Sequence, residues 1–251
     1  MVDSSGGDST ELQTVDIGSV ELDIFALAKR NKRKVTFVTI TKRLLEQPLQ
    51  NLPQISDGVL TSFLERIWQT QRDYNVSYHN EMHNLDVAQM THILLNTGTD
   101  CISVQLRLSP LEQFAAIIAS VCHDFAHDGF NNGYHVNTQS PRFQEHGSIG
   151  VQEKFHFAES FKVVEQMQLL AGLAPEQQVL FKKRMQQCIY STDMSRHVKD
   201  LNEVKALLEQ IPEGTPILPL GLEEAEQENR KSKFLELVVH ASDISFLSRP
   251  R

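Results

Sequence analysis

The sequence has few cysteines, no long apolar run and no excess of basic residues. Its three cysteines, Cys101, Cys122 and Cys188, are odd in number and have no CxxC spacing, which argues against a disulfide framework or a thiolate zinc site and indicates reduced thiols. No window approaches the roughly 18 apolar residues of a membrane span, and the N-terminus lacks the basic flank and apolar stretch of a signal peptide. We therefore expect a cytoplasmic protein with no membrane span.

The charge balance argues against a nucleic acid polymer as a partner. The formal net charge is −8 and the pI is about 5.7, so no basic surface is indicated. An acidic protein that handles a phosphate needs a local source of positive charge, and bound metal ions are one such source. Histidine is abundant, with ten residues, more than general packing requires.

The apolar pattern predicts an all-α protein. Residues 1–14 are rich in Ser, Gly and Asp and read as a disordered tail, whereas residues 15–251 carry enough apolar residues for one domain. Within 56–74 the apolar residues recur with a period of 3.6. Ser109, Pro110 and Glu112 form a complete helix start signal. The β-branched residues in 35–47 leave helix and strand open, and we favour helix.

Two histidines near residue 80 form the first candidate site. We predict a helix over 78–95, on which His79 and His83 are four residues apart and share a face. One could bind a metal while its neighbour reaches a substrate held by that metal, although two surface histidines fit this motif equally well when it is taken alone. Asp86 lies one further turn along and could orient a ring N–H.

On the buried helix that starts at Ser109, we predict that His123 and His127 repeat the four-residue spacing, with Asp124 next to His123. His240 and Asp243 follow another apolar run. An ionised aspartate at the end of an apolar helix needs a cation or hydrogen bonds to offset its desolvation. A helix end capped by polar residues is the alternative for the first group. Glu153 is a surface charge or a partner for a ring nitrogen.

Three apolar helices that each supply His or Asp predict a metal site with nitrogen and oxygen ligands. This ligand set suits Zn²⁺ at one position and Mg²⁺ or Mn²⁺ at a more oxygen-rich neighbour. A carboxylate such as Asp124 can bridge two such ions. The chemistry that this site would serve best is attack of a metal-bridging hydroxide on phosphorus, with an imidazole that protonates the leaving alkoxide.

Several stretches resemble the class I cyclic nucleotide phosphodiesterases. "YHNEMHNLDVAQ" at 78–89 is similar to the family's YHNxxHAxDVxQ, and "HDFAHDGFNN" at 123–132 to its HDxxHPGxxN. "GVQEKFHFAESF" at 150–161 is similar to SVLENHHxxxxF, "TDMSRH" at 192–197 matches outright, and "HASDIS" at 240–245 resembles HxADxS. The motifs occur in the family's order over about residues 20–248.

The resemblance implies a compact all-α, HD-like catalytic domain over residues 15–251 that hydrolyses a 3′,5′-cyclic nucleotide, cAMP or cGMP, to the 5′-monophosphate in signal transduction. It implies one zinc and one magnesium or manganese ion. By this resemblance, His79 would donate a proton to O3′ and Glu153 would hold His79. The implied metal ligands are His83, His123, Asp124 and Asp243, with His127 as a supporting residue. Tyr78 and Met194 would line the nucleotide pocket.

The chain also departs from the family pattern. Asn84 replaces Ala, Asp128 replaces Pro and Phe155 replaces the first His of the HH pair, and these three departures leave the implied ligands intact. Ser148 stands where the family usually has Asp. Phe246 stands where Asn commonly follows the Asp-x-Ser motif, so we expect the loss of one polar contact near the nucleotide.

The sequence stops eight residues after Asp243, whereas family members continue with helices that carry the purine-binding residues. We therefore expect a C-terminally incomplete domain with an uncovered apolar surface, through which it could associate with another chain. The alternative function is a weakly active or inactive regulatory module. A more distant HD-type phosphohydrolase does not explain the YHNxxH and TDMSRH motifs and ranks last.

Overall fold

The structure, a computed structural model, describes residues 9–248. Within that range the chain forms α-helices and two short 3₁₀ helices, with no β-strand. The all-α prediction is therefore confirmed. The α-helices are α1 (Ser9–Thr14), α2 (Ile24–Arg30), α3 (Arg33–Leu44), α4 (Glu46–Leu49), α5 (Asp57–Tyr74), α6 (Glu81–Asn96), α7 (Ile102–Gln105), α8 (Pro110–Cys122), α9 (Asn132–Asn137), α10 (Pro141–His146), α11 (Val151–Gln166), α12 (Pro175–Tyr190), α13 (His197–Glu209) and α14 (Glu224–Ile244); the 3₁₀ helices are Met194–Arg196 and Ser245–Ser248.

Helix α8 lies at the centre of the molecule. Its start follows the sequence signal: the Ser109 hydroxyl accepts the Glu112 N–H, the Glu112 side chain accepts the Ser109 N–H, and Pro110 occupies the first turn. Almost every α8 side chain is buried, including Phe114 and Ile118, because α6 packs on one side and α12 on another. This burial carries the C-terminal end of α8 into the interior.

Polar contacts fix α6 against the end of α8. Asn84 donates a hydrogen bond to the Val121 carbonyl at 2.8 Å, and the hydroxyls of Thr91 and Ser120 lie 2.9 Å apart. All four residues are buried, so these bonds satisfy polar groups that would otherwise be costly to bury. Helix α14 packs across α6 and α12 and brings its C-terminal end to the same place.

Two helices are shorter at the site than the sequence predicted. Helix α6 begins at Glu81, because the Asn80 side chain caps it by accepting the Met82 N–H at 3.0 Å. Helix α8 ends at Cys122, and Ala126 takes a left-handed conformation with φ +58°. The predictions that His79 shares a helix with His83 and that His127 shares one with His123 were therefore wrong. His79 precedes α6 and His127 lies in a turn after α8.

The predicted disordered tail over residues 1–14 overlaps α1. Residues 1–8 lie outside the described residues, but residues 9–14 are helical, Leu12 is buried and the Leu12 carbonyl accepts a hydrogen bond from Arg43. The burial of Leu12 explains why these residues join the fold. In the described part of the chain, no helix combines the length and apolar character needed to cross a membrane.

Candidate metal centre and pocket

Four predicted ligands converge at one point in the interior. His83 comes from α6, His123 and Asp124 directly follow α8, and Asp243 comes from the last turn of α14. His83 Nε2 lies 3.1 Å from Asp243 Oδ1 and 3.5 Å from Asp124 Oδ2. His123 Nε2 lies 3.3 Å and 3.4 Å from the same two oxygens. Two nitrogens and two oxygens therefore form a compact cluster, which we call the four-ligand cluster.

The spacing of the four-ligand cluster fits a bound metal ion. Nitrogen and oxygen ligands at about 2.1 Å from a tetrahedral metal lie roughly 3.4 Å from one another. Among the described residues, His123 Nε2 and Asp124 Oδ2 are buried atoms without a hydrogen-bond partner. Buried polar atoms in native proteins normally have a partner. A cation shared by these atoms would supply one.

Backbone carbonyls set the orientation of the rings. His123 Nδ1 lies 2.8 Å from the Ser120 carbonyl oxygen, so in the neutral ring, the form that binds a metal, Nδ1 carries the proton and the Nε2 lone pair faces the cluster. His156 repeats this arrangement, with Nδ1 2.6 Å from the Phe125 carbonyl oxygen and Nε2 3.8 Å from Asp124 Oδ1. Both rings thus present a free nitrogen to Asp124.

The charges of the four-ligand cluster favour the binding of a cation between its side chains. Burial would raise the pKa of Asp124, but the His123 and His83 rings outweigh it and hold that pKa well below its usual value. Burial would lower the pKa of His123, but Asp124 and Asp243 raise it well above its usual value. The two carboxylates stabilise a cation at this point, and a divalent ion would meet the same requirement.

A pocket of about 540 Å³ opens beside the four-ligand cluster. Asp124 and Asp243 form part of its floor, and His79, His127, Glu153 and other polar residues line its walls. Asp124, His127 and His156 form a second group whose ligand atoms are close enough to share a metal ion. Asp124 belongs to both groups and so fits the predicted bridging position.

His79 and His127 stack on each other in the pocket wall. Their ring centroids are 4.2 Å apart, and His127 stacks in turn on His156 at 5.4 Å. His127 Nδ1 accepts the Gly129 N–H at 2.9 Å, which leaves Nε2 as the protonated nitrogen of the neutral ring. Burial lowers the pKa of His79, and it lowers the pKa of His127 to about 4 and that of His156 to about 3.

Glu153 lines the pocket from the first turn of α11. Its Oε2 accepts a hydrogen bond from Asn132 at 2.9 Å, and burial raises the pKa of Glu153 to about 7. The structure gives no hydrogen bond between Glu153 and His79 among the described residues, so the role of Glu153 in holding that ring stays a prediction.

The other predicted residues lie at different depths. Met194 lines the pocket and is exposed. Tyr78 is also exposed, and its ring contacts His79 and His83 with centroids 4.9 Å and 4.8 Å away. Asp86 is buried on α6, three residues after His83. Their roles in substrate binding and ring orientation stay predictions.

His156 and Asn132 are site residues that the sequence analysis did not place at the site. Asn132 Oδ1 also accepts the Gln152 N–H at 2.8 Å, so this one side chain connects the pocket wall to α11. The three-residue spacing of Glu153 and His156 on a predicted helix could have indicated that the two face the same site. The contact of Asn132 with α11 depends on tertiary structure and has no such signal.

The fold is similar to that of a solved phosphodiesterase. A structure of LmjPDEB1 in complex with IBMX superposes on this chain with a TM-score of 0.79 and 21% sequence identity. The superposition covers 96% of this chain and 71% of the LmjPDEB1 chain. This similarity establishes the fold class.

Sequence comparison gives related proteins. The rat 3′,5′-cyclic-AMP phosphodiesterase 4C is 28% identical over 91% of this chain and 41% of its own length. The Chinese hamster (Cricetulus griseus) dual specificity calcium/calmodulin-dependent 3′,5′-cyclic nucleotide phosphodiesterase 1B is 29% identical over 89% of this chain and 38% of its own length. The chain therefore spans about two-fifths of the length of these relatives.

A family model assigns the chain. The model for 3′5′-cyclic nucleotide phosphodiesterases matches residues 78–251, more than half of the sequence and the part that holds every residue of the four-ligand cluster. The chain belongs to the 3′5′-cyclic nucleotide phosphodiesterase family.

Proposed function

We propose that this chain hydrolyses a 3′,5′-cyclic nucleotide to the 5′-monophosphate. The observation that carries the proposal is the four-ligand cluster, in which each histidine nitrogen lies 3.1–3.5 Å from the two carboxylate oxygens and both carboxylates line an open pocket. The substrate would be cAMP, cGMP or both.

The residues fit two divalent ions. His83, His123, Asp124 and Asp243 would hold Zn²⁺, because two nitrogens and two oxygens suit that ion. Asp124 also lines the pocket, so its carboxylate would in addition hold Mg²⁺ or Mn²⁺, ions that take oxygen ligands and keep several waters of their own. When bound, such ions supply Lewis-acid activation of the phosphate and of the attacking water.

His79 would protonate the O3′ leaving group. The ring lies in the pocket wall beside the cluster and is held by stacking on His127. Burial lowers the pKa of His79, and an anionic phosphodiester in the pocket would favour the protonated ring. Glu153 would stabilise that imidazolium, and Asp86 would help to orient the neighbouring His83.

The nucleotide would contact the rim of the pocket. Met194 lines the pocket, and Tyr78 packs against the His79 ring of the pocket wall; both are exposed and offer an apolar and an aromatic surface. A purine or ribose can pack on surfaces of this kind.

The test is turnover of cAMP and cGMP by the chain loaded with Zn²⁺ and Mg²⁺, compared between the native protein and His79→Ala. Loss of a general acid lowers the rate by about 10²–10⁴-fold, while zinc content measured by atomic absorption should not change. His146→Ala is the control, because His146 lies outside the pocket and the cluster. Equal turnover by the native and His79→Ala proteins would contradict the role of His79.

The alternative is a metal-binding module with weak or no turnover. It predicts a zinc-loaded native chain whose turnover of both nucleotides equals that of His79→Ala at the background rate. That result would overturn the proposed hydrolysis and would leave the metal site intact.

A further inference from the structure

Arg142 on α10 connects the pocket wall to α11 without lining the pocket itself. Its guanidinium donates to the Ala126 carbonyl at 2.9 Å and to Gln152 Oε1, and its Nε lies 3.4 Å from Asp128 Oδ2. The side chain is only 10% exposed. Because a guanidinium has five donors in a rigid fork, one arginine can hold three groups in fixed relative positions.

The partners of Arg142 are joined to one another as well. Gln152 donates to Asp128 Oδ1 at 3.1 Å and to the Phe130 carbonyl at 2.7 Å. Together, Arg142, Asp128 and Gln152 form a closed polar group, which we call the Arg142 cluster. One end of it is the turn over residues 126–130, and the other is the first turn of α11.

The turn held by the Arg142 cluster is strained and carries site residues. Ala126 has φ +58°, a conformation that is unfavourable for a residue with a Cβ. It lies between Asp124 and His127, and the segment that follows it supplies Gly129 and Phe130 to the pocket wall. A donor on the Ala126 carbonyl therefore stabilises the turn at the point where it enters the site.

The Arg142 cluster coincides with departures from the family pattern. Asp128 stands in place of Pro, Gln152 in place of the Leu of SVLENHH, and Phe155 in place of His. The Arg142 guanidinium carbon lies 3.7 Å from the centroid of the Phe155 ring, a cation–π contact. All three substituted positions thus contact Arg142.

We propose that Arg142 is a positioning residue that sets the location of Glu153 relative to the turn over residues 126–130. Gln152 precedes Glu153 directly, so a displacement of Gln152 moves the Glu153 carboxylate and opens the pocket wall to water. The kinetic consequence rests on the proposed function.

The test compares Arg142→Ala and Arg142→Lys with Arg230→Ala. Arg230 is a matched control: it is 9% exposed, pairs with Glu226 at 2.7 Å and donates to the Ile217 carbonyl at 2.9 Å, outside the pocket. We expect both Arg142 variants to lower kcat about 10- to 100-fold, as loss of a supporting residue does, with KM changed less than about three-fold. Arg142→Lys should fold even if Arg142→Ala does not, because it keeps the charge.

The second measurement does not depend on turnover. The side-chain carboxyl of Glu153 is titrated by ¹³C NMR in the metal-free chain. Its raised pKa should fall towards the usual glutamate value in the Arg142 variants, because the carboxylate becomes hydrated, and should stay raised in Arg230→Ala.

The outcomes separate the two proposals. If the native chain does not turn over cyclic nucleotide, the proposed function fails and the titration alone decides the role of Arg142. An unchanged Glu153 titration in Arg142→Lys would overturn the positioning role, as would an equal fall in kcat for Arg142→Lys and Arg230→Ala.

Discussion

Glu153 holds its carboxyl group in surroundings that favour the neutral acid. Burial raises its pKa to about 7 from an ordinary value of 4.5. The folded chain therefore keeps this proton at pH values where the unfolded chain has lost it. Stability from this group is fully present below pH 4.5 and is lost as the pH rises through about 7.

This shift predicts that Glu153→Gln removes a pH dependence of stability in the metal-free chain. The variant should be the more stable protein at pH 8, by up to about 3 kcal/mol, because it has no buried carboxylate to ionise. Below pH 4.5 the two proteins should differ little. Urea denaturation at several pH values measures the difference, and parallel curves for the two proteins would contradict the raised pKa.

For single residues, the sequence predicted which side chains could bind a metal, but it did not predict where in the local backbone each of them lies. The sequence indicated His123 and Asp124 as ligands because an ionised aspartate after an apolar run needs compensation. It placed His127 on the same helix as His123, since no local signal marks the end of α8 at Cys122 or the left-handed Ala126 that follows it. The free Nε2 of His123 depends on the Ser120 carbonyl, which the sequence pattern does not reveal.

Helices α8 and α12 are joined by a buried ion pair. Arg184 on α12 is 1% exposed and donates to Glu112 Oε1 on α8 at 2.8 Å. Arg184 also reaches Glu228 on α14 at 2.7 Å. One guanidinium therefore connects α12 to both α8 and α14.

Arg184→Met should destabilise the fold strongly, by about 3–5 kcal/mol, because it leaves the Glu112 carboxylate buried with a weaker set of partners. Lys183→Met is the matched control: Lys183 pairs with the same Glu228, but both members of that pair are more than a third exposed, so the loss should stay below about 1 kcal/mol. Chemical denaturation measures both. Similar losses for the two variants would contradict the role of the buried pair.

The helical elements were largely predictable because their signals are local. Residues 57–74 show the apolar period of a helix, and Ser109, Pro110 and Glu112 form the cap that the sequence indicated. Residues 33–44 are helical despite their β-branched residues, since Phe37 and Ile40 pack one face against the core. Ion pairs between helices, such as Arg184 with Glu112, join residues 72 positions apart and have no local signal.

Across the whole molecule, the four-ligand cluster unites distant parts of the chain. Residues 83, 123, 124 and 243 meet only when α6, α8 and α14 are packed together. A metal ion bound there would favour the folded state over the unfolded state.

Removal of metal should therefore lower the melting temperature of the whole chain. A free Zn²⁺ concentration of 100 times Kd adds about 2.7 kcal/mol of stability, and calorimetry after EDTA treatment and zinc addition measures the change. His83→Ala should abolish the zinc response, while His146→Ala should keep it. A zinc response in His83→Ala equal to that of the native chain would contradict the proposed ligand set.

The position of Asp243 on α14 has a consequence for the integrity of the chain. The segment between α13 and α14 is largely exposed, and Leu220 within it is 89% exposed. A single proteolytic cut there would leave Asp243 on one fragment and the other three proposed ligands on the other. A bound ion would then bridge the two fragments and add to the packing of α14 on α6 and α12, which would otherwise hold them together alone.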